Sequence, residues 1–325
     1  MIANFCSWAN LFVLGFITYA IGLISVAGFF GSVNWLFELA SHFRLVYCYL
    51  FPALAILFLL IKRPGFLLGA AIFFLFNFSQ VLPFYFPSSN KTKTDLPTAI
   101  SKHRTNRVNK VRILQFNVQG GLNSDFDKTI DLIDQTAPDI VGISEITETW
   151  KQVLDKRLKG YRYKLVQPKL GGIALYSKIP LIESQLMYTG KIKRPRIVAQ
   201  MRIADQPTMI VLAHPVIPIL HGNLRNEELA AIGKEISDFD GASILFGDLN
   251  CTPWSCHFEE LLKTANLQDS ERGFGIVSTW SARWSIHLFP IDHCLVTKEF
   301  IVVDRKVLKS VGSDHYPVLV DLERR

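Results

Sequence analysis

The 325-residue chain has few cysteines, and they are not paired in sequence. The 5 Cys form an odd set without a CxxC pair, which excludes a disulfide-rich scaffold and a cysteine-based zinc site. Cys6 and Cys48 fall in apolar sequence, whereas Cys251, Cys256 and Cys294 fall in the remainder. We expect free thiols, with a Cys251–Cys256 disulfide as the alternative.

Charge is nearly absent before Pro87. The only ionised side chains in that region are Glu38, Arg44, Lys62 and Arg63. Uncharged apolar runs near residues 11–30, 45–61 and 66–86 have lengths typical of membrane-spanning helices. We therefore expect residues 1–87 to be a bundle of about three transmembrane helices that contacts the lipid bilayer. A cleaved signal peptide would account for the first run only.

The excess of positive charge lies in the segment after these runs. The formal net charge is +7, of which residues 1–87 carry +2 and residues 88–110 carry +5. Residues 111–325 are therefore neutral overall. The polar, basic segment 88–110 is typical of a linker, and beside a membrane such a segment contacts anionic headgroups or sets topology. A neutral C-terminal domain argues against nucleic acid as its partner.

The orientation in the membrane follows from the shortest basic loop. Lys62 and Arg63 separate the second and third apolar runs, and the positive-inside rule places such a loop in the cytoplasm. With three spans, we expect a multi-pass cell-membrane protein with an extracytoplasmic C-terminal domain. The basic linker favours the opposite orientation.

The remainder, residues 111–325, alternates strand and helix patterns. Helical spacing is found in DFDKTIDLIDQTAPD, where Phe126, Ile130 and Ile133 form a stripe that Pro138 ends, and at residues 148–158 and 223–238. Apolar runs of strand length are found at residues 111–118, 139–145, 171–177, 197–203, 208–214 and 242–250, with further strands after Ser278. Both kinds of connection occur, so the sequence predicts an α/β domain with mixed sheets.

Polar residues end several of these apolar strands. They are Asn117, Glu145, His214, Asp248, Asn250, Asp292, Asp314 and His315. Strand ends are rigid, so such residues can converge on one cleft. Carboxylates and Asn suit a hard cation such as Mg²⁺ (or Mn²⁺), and histidines without a Cys cluster suit proton transfer and phosphate contact.

The ordered motifs ILQFNV, PDIVGISE, GGIALYSKIP, VLAHP, GDLN, PIDH and SDHYPV resemble those of the endonuclease/exonuclease/phosphatase (deoxyribonuclease I-like) superfamily. The resemblance covers Val111 to Leu322. It implies a four-layered α/β sandwich, in which two mixed β-sheets lie face to face and are flanked by helices. The three apolar runs before this domain resemble a bacterial membrane-anchored branch of the family.

The resemblance also implies roles for the strand-end residues. Glu145 is the main metal ligand, with Asn117 and Asp314 contributing to the metal or phosphate site. Asp248 orients the attacking water or the leaving group, Asn250 binds phosphate, and His214 donates to a phosphate oxygen. His315 is a catalytic histidine whose basicity Asp292 raises. The implied reaction is in-line attack of water on phosphorus, with Mg²⁺ or Mn²⁺ as cofactor.

Two positions depart from the family's abasic-site endonucleases. Val118-Gln119 stands where those enzymes carry an acidic residue, and His214 is followed by a Pro-Val-Ile-Pro sequence. The leading hypothesis is therefore a membrane-anchored phosphodiesterase or phosphomonoesterase acting on a lipid or small-molecule phosphoester. The alternatives are a membrane-tethered endo- or exonuclease and a non-catalytic binding module on the same fold.

For several other residues, the sequence gives no specific functional prediction. We expect His293 to pack or to support the site, and Arg225 to meet either phosphate or a surface ion pair. Trp284 lies in the loop before PIDH, where it can reach a ligand, whereas His221 and His287 are expected in loops or on the surface.

Overall fold

The computed structural model describes residues 8–86, 109–169, 171–283 and 288–325. Most of the expected linker, together with Trp284 and His287, lies outside the described residues, as does the side chain of His221. The chain forms two compact units, one comprising the chain up to Pro83 with Trp254–Cys256 and the other comprising Phe84–Pro253 with His257–Arg325.

Four α-helices form the N-terminal unit. They are α1 (Trp8–Ala27), α2 (Trp35–Ser41), α3 (Arg44–Leu60) and α4 (Pro64–Val81). By length and composition, two segments can cross a membrane, Asn10–Phe30 and Pro64–Tyr85. Helices α2 and α3 are bent by 62° at a short break and supply a third candidate if the pair is one span. The region between the first two apolar runs is thus helical, and Asn34 caps α2 by accepting a hydrogen bond from Leu36 N.

Small residues let α1 pack closely against α4. A Cβ atom at Gly15 would lie 2.4 Å from the ring of Phe66, and one at Gly22 would lie 2.2 Å from the ring of Phe73. Close packing at small residues holds helices together where apolar burial gives little driving force.

A buried arginine joins three elements of this unit. Arg44 Nη1 donates to Ser25 O and to Asn77 Oδ1, both at 2.8 Å, and Asn77 Nδ2 donates to Ser25 Oγ. The guanidinium also lies over the ring of Phe29. Ionisable groups within apolar helices require such partners.

In the described residues of the C-terminal unit, the strands form two six-stranded sheets. The strands are β1 (Lys110–Asn117), β2 (Ile140–Ser144), β3 (Tyr163–Gln167), β4 (Ile173–Ser177), β5 (Leu181–Tyr188), β6 (Pro195–Ile203), β7 (Gln206–Leu212), β8 (Ala242–Asp248), β9 (Leu267–Asp269), β10 (Asp292–Thr297), β11 (Phe300–Val307) and β12 (Val318–Arg324). The first sheet has the order β11-β12-β1-β2-β4-β3 and the second β5-β6-β7-β8-β10-β9. Each sheet is mixed, with β1–β2 and β7–β8 as its parallel pair.

Helices cover the outer face of each sheet. They are α5 (Phe126–Thr136), α6 (Glu148–Arg157), α7 (Pro218–Ser237) and α8 (Cys256–Thr264). One apolar core lies between the sheets, where Ile113 and Ile140 of one sheet share a cluster with Ile244 and Phe246 of the other. Two further cores join the outer faces to α5–α6 and to α7–α8. The predicted four-layered α/β sandwich is confirmed.

The two parallel pairs bring the strand-end residues to one edge. Helix α5 connects β1 to β2, and α7 connects β7 to β8, so in each pair both strands end at the same edge of the sheet. Asn117 ends β1, and Asp248 ends β8 in the opposite sheet. Their side chains are 3.1 Å apart, so the two edges meet.

Some elements differ from the sequence patterns. Helix α7 begins at Pro218, five residues before the predicted start at Asn223, because proline is compatible with the first helical turn. Strands β3, β5 and β9 and helix α8 had no clear pattern. The four described cysteines are not disulfide-bonded, so the alternative of a Cys251–Cys256 disulfide was wrong.

Candidate active site

The carboxylate of Asp248 lies at the centre of the strand-end residues. The residue is 1% exposed. Its Oδ2 lies 3.1 Å from Asn117 Nδ2, 3.4 Å from His214 Nε2 and 3.7 Å from His315 Nε2. Burial alone would raise the pKa of Asp248, but the charges of His315 and His214 and the hydrogen bonds hold it well below its usual range. Asp248 is therefore ionised at neutral pH.

Asn117 joins Asp248 to Glu145. Its Nδ2 donates to Glu145 Oε1 at 2.9 Å as well as to Asp248, and its Oδ1 accepts from Gln119 N. In this arrangement Asn117 directs its amide nitrogen toward the carboxylates and positions both. The prediction that it contributes an oxygen to a metal stays a prediction. Glu145 is more open than Asp248, with 37% of its side chain exposed against 2%.

Asp292 and His315 form a buried pair. Asp292 Oδ2 lies 2.8 Å from His315 Nδ1, and the backbone N–H of Asp292 donates to Thr279 Oγ1. Burial lowers the pKa of His315, but the charges of Asp292 and Asp248 outweigh it and raise the pKa to about 10. His315 is thus an imidazolium at neutral pH, with its second N–H available to the cleft. Ser313 Oγ accepts from His315 N and donates to Asn117 O, which ties the histidine loop to β1.

His214 follows β7 and lies beside an arginine. Its Nε2 is 3.4 Å from Asp248 Oδ2 and 3.8 Å from Glu145 Oε1. Arg194 Nη1 lies 3.1 Å from Nε2 and 3.2 Å from Nδ1 of the same ring. Arg194 belongs to the basic run KIKRPR (Lys191–Arg196) and brings a positive charge to the site.

Asn250 is held by a buried arginine. Asn250 N donates to Asp248 Oδ1 at 3.0 Å, and its Nδ2 donates to Pro215 O. Arg225 is fully buried, and its Nη1 donates to Asn250 O at 2.8 Å. The alternative of a surface ion pair at Arg225 was wrong, because this face of α7 is buried, whereas the phosphate contact stays a prediction. Arg225 instead fixes the backbone next to the site.

The remaining candidates lie at the periphery of this group. Asp314 Oδ2 accepts from Trp280 Nε1 at 3.1 Å, so its predicted metal role stays a prediction. Gln119 Oε1 accepts from Arg283 Nη2 at 2.8 Å. The side-chain amide of Gln119 thus accepts a hydrogen bond from an arginine, at a position where the family's abasic-site endonucleases carry an acidic residue. His293 points away from the site, because its Nε2 forms a hydrogen bond with Cys251 O.

Backbone conformation brings the strand ends close together. Glu145 and Asn250 have φ of +57° and +49°, a region that residues with a Cβ rarely adopt. Gly247, with φ +139°, precedes Asp248, and a Cβ there would lie 2.1 Å from Ala213 O. Gly247 thus allows the end of β8 to approach the end of β7, which carries His214.

The donor set fits a hard divalent cation. Asp248 and Asp292 offer carboxylate oxygens that lie within 4.8 Å of each other and of a His315 ring nitrogen, and Asn117 joins Glu145 to Asp248. Asp292 Oδ1 is buried without a hydrogen-bond partner among the described residues. Carboxylate oxygens are the ligands that Mg²⁺ and Mn²⁺ prefer.

The site residues all lie inside the range that one family model matches. The model of the Endonuclease/Exonuclease/phosphatase family matches residues 114–315, which is more than half of the chain. The chain belongs to this family. Asn117 and His315 are near the two ends of the matched range. None of the curated protein sequences matches the chain significantly.

Solved structures share the fold of the C-terminal unit. Danio rerio TDP2 complexed with a single-strand DNA product is 16% identical, with a TM-score of 0.58, covering 66% of this chain and 99% of that one. Family proteins from Bacteroides vulgatus and Beutenbergia cavernae are each 20% identical, with TM-scores of 0.56 and 0.55. They cover 66% of this chain and 99% and 72% of their own. At these identities the likeness is one of fold.

The Asp292–His315 pair predicts a measurable pKa. Replacing Asp292 by Asn removes the largest charge that favours the imidazolium, while the burial that disfavours it remains. In metal-free full-length protein, D292N should therefore lower the pKa of His315 from about 10 by at least one unit, which corresponds to about 1.4 kcal/mol. NMR titration of the His315 ring measures this shift. D314N is the matched control and should give a smaller one; equal shifts in both variants would contradict the assignment.

Proposed function

We propose that the chain is a divalent-metal-dependent phosphoesterase that hydrolyses a lipid or small amphipathic phosphoester by attack of water. The observation that carries this proposal is the set of contacts on Asp248, which Asn117, His214 and His315 approach from both sheets. Family membership supports the same reaction class, because endonucleases, exonucleases and phosphatases all cleave phosphoester bonds.

Each residue has a role that its environment supports. Asp248 stays ionised, so it can accept a hydrogen bond from the attacking water and orient it toward phosphorus. His315, held as an imidazolium by Asp292, can donate to a non-bridging phosphate oxygen through Nε2. His214 and the adjacent Arg194 bring further donors to the developing negative charge.

Glu145, with Asp248 and Asp292 nearby, would hold the divalent cation. When bound, Mg²⁺ or Mn²⁺ supplies Lewis-acid stabilisation of charge on the phosphate oxygens. Asn117 would keep Glu145 in place through its Nδ2. The partial exposure of Glu145 leaves room for the water ligands that Mg²⁺ retains.

Exposed apolar residues next to the site support a lipid or amphipathic substrate. Ile217, just before α7, and Ile219, in its first turn, are 50% and 59% exposed. Leu122, in the loop after Asn117, is 75% exposed. Contiguous exposed apolar patches mark interaction sites, and a patch beside a polar site is what an enzyme with an apolar substrate requires. The candidate membrane spans would bring such a substrate near in the plane of a bilayer.

The nuclease alternative has weaker support. Residues 111–325 have a net charge of zero, whereas affinity for a polyphosphate backbone usually rests on a basic surface. The TDP2 structure with a single-strand DNA product makes a single-stranded oligonucleotide the right competing substrate in any assay.

Hydrolysis by the full-length protein in detergent tests the enzymatic proposal. Turnover of bis(p-nitrophenyl) phosphate should require Mg²⁺ or Mn²⁺ and cease in EDTA. E145Q and H315A should each lower kcat by about 10²- to 10⁴-fold, because each removes a group that acts on the transition state. H257A is the matched control and should retain activity, since His257 lies in α8 outside the site. Equal turnover in H315A and wild type would overturn the proposal, and absence of turnover with every metal and substrate would favour the binding-module alternative.

The substrate class is tested by removing the apolar side chains beside His214. The double variant I217S/I219S should lower kcat/KM about tenfold or more for a fluorescent phosphatidylglycerol in vesicles, because apolar contact contributes about 1.5 to 3 kcal/mol per buried side chain. It should leave the turnover of bis(p-nitrophenyl) phosphate within about twofold.

The control for this change is I182S. Ile182 is 58% exposed, similar to Ile219, but lies on the edge strand β5. I182S should affect neither substrate. Equal losses in both variants, or preferential cleavage of a single-stranded oligonucleotide by wild type, would contradict a lipid substrate.

A further inference from the structure

A second group of buried polar side chains lies on the other face of β10. Asp292 and His293 are consecutive residues at the start of β10, so their side chains point to opposite faces of the sheet. Asp292 faces His315, whereas the ring of His293 packs against Phe258 of α8. The hydrolytic site does not use His293.

Two carboxylates lie beside His293. Asp269 ends β9 and pairs with Leu295 of β10, so it shares a sheet face with His293 as its diagonal neighbour. Glu271 follows two residues later. Asp269, Glu271 and His293 are at most 4% exposed. One oxygen of each carboxylate and one ring nitrogen of His293 lie within 4.8 Å of one another.

Each of these three side chains keeps one unpaired polar atom. Asp269 Oδ1 accepts from Glu271 N, and Glu271 Oε1 accepts from Val277 N. The other oxygens, Asp269 Oδ2 and Glu271 Oε2, and His293 Nδ1 have no hydrogen-bond partner among the described residues. Buried polar atoms left unpaired cost about 1 to 3 kcal/mol each, so three in one group indicate a missing ligand.

The hydrogen bond that His293 makes through Nε2 leaves its Nδ1 available to bind a metal ion. Nε2 lies 2.7 Å from Cys251 O, and only a protonated nitrogen can donate to a carbonyl. In the neutral ring, Nδ1 then carries a free lone pair. Metal-binding histidines typically donate their other N–H to a backbone carbonyl in this way.

The charges in the group also favour a cation. Two carboxylates are buried here, and the cation that contacts them among the described residues is Arg305, whose Nη1 lies 3.3 Å from Glu271 Oε1 and whose Nε and Nη2 have no hydrogen-bond partner there. One guanidinium balances only one carboxylate. Burial raises the pKa of Glu271 to about 7, which reflects the cost of a second buried negative charge.

We propose that Asp269, Glu271 and His293 form a structural zinc site, separate from the hydrolytic site. A set with one imidazole and two carboxylates suits Zn²⁺ better than Mg²⁺, which prefers oxygen ligands alone. Ligands at about 2.1 Å from zinc lie about 3 to 4 Å apart, and the three ligand atoms of this group already lie within 4.8 Å of one another.

The bound ion would stabilise the segment that supports the catalytic pair. Glu271 accepts from Val277 N, two residues before Thr279, and Thr279 Oγ1 accepts from Asp292 N. Trp280, next in sequence, donates to Asp314. Zinc would thus link β9, β10 and the segment from Glu271 to Trp280.

The test measures zinc retention in a full-length background variant, E145Q/H315A, in which two groups of the hydrolytic site are removed. After equilibration with Zn²⁺ and dialysis into metal-free buffer containing millimolar Mg²⁺, this protein should retain about one zinc per chain. Adding H293Q should lower zinc affinity at least tenfold, whereas adding H257Q should not. No zinc in the background variant, or equal retention with and without H293Q, would overturn the proposal.

Two further measurements apply if H293Q fails to fold. D269N should lower zinc affinity to a similar extent while conserving the shape of the side chain. X-ray absorption of zinc in the background variant, which leaves the buried group intact, should show one imidazole among oxygen ligands. A shell without imidazole would overturn the assignment. These measurements do not depend on hydrolysis, so failure of the proposed phosphoesterase activity leaves them unaffected.

Discussion

The site depends on one buried carboxylate, Asp248, at the edge where the two sheets meet. A carboxylate that is 1% exposed remains ionised only with strong partners, and its partners come from separate elements. Asn117 approaches from the first sheet, His214 from the end of β7, and His315 from the loop before β12. The same contacts that stabilise the buried charge bring together the groups needed for phosphoester hydrolysis. Stability and chemistry thus rest on one set of interactions in this part of the fold.

Several residues outside the reacting groups keep these side chains close together. Arg225 is fully buried and donates a hydrogen bond to Asn250 O. Gly247 lets the backbone of β8 approach Ala213 O, which a Cβ atom would prevent. Glu145, just after β2, has a φ of +57°, and its carboxylate accepts a hydrogen bond from Asn117 Nδ2. Conformations of this kind persist where surrounding structure fixes them, and they are common at functional sites. On the opposite face of β10, His293 lies with Asp269 and Glu271 in a second cluster of buried polar side chains.

Much of this arrangement could be predicted from sequence, and the limits have physical reasons. Buried strands such as β2 and β8 are continuous apolar runs followed by a polar residue, so both the strand and its site residue were predictable. Strand β5 was not, because it is an edge strand with mostly exposed or half-exposed residues and no regular alternation. The roles of Arg194 and Arg225 were also not predictable, since basic residues in surface-like sequence give no sign of burial. The Asp269–Glu271–His293 group depends on the pairing of β9 with β10, which three residues of β9 could not reveal.

The most direct test of the account is a double-mutant cycle on Asn117 and Asp248, with kcat/KM for a phosphodiester in saturating Mg²⁺ as the measured quantity. If Asn117 acts by positioning the Asp248 carboxylate together with Glu145, N117A should cost much less in a D248N background than in wild type. The expected coupling free energy is about 1 to 3 kcal/mol, the range found for residues in one hydrogen-bond network. Losses that simply multiply, with coupling near zero, would show that the two sheets contribute independently and would contradict the central role of Asp248.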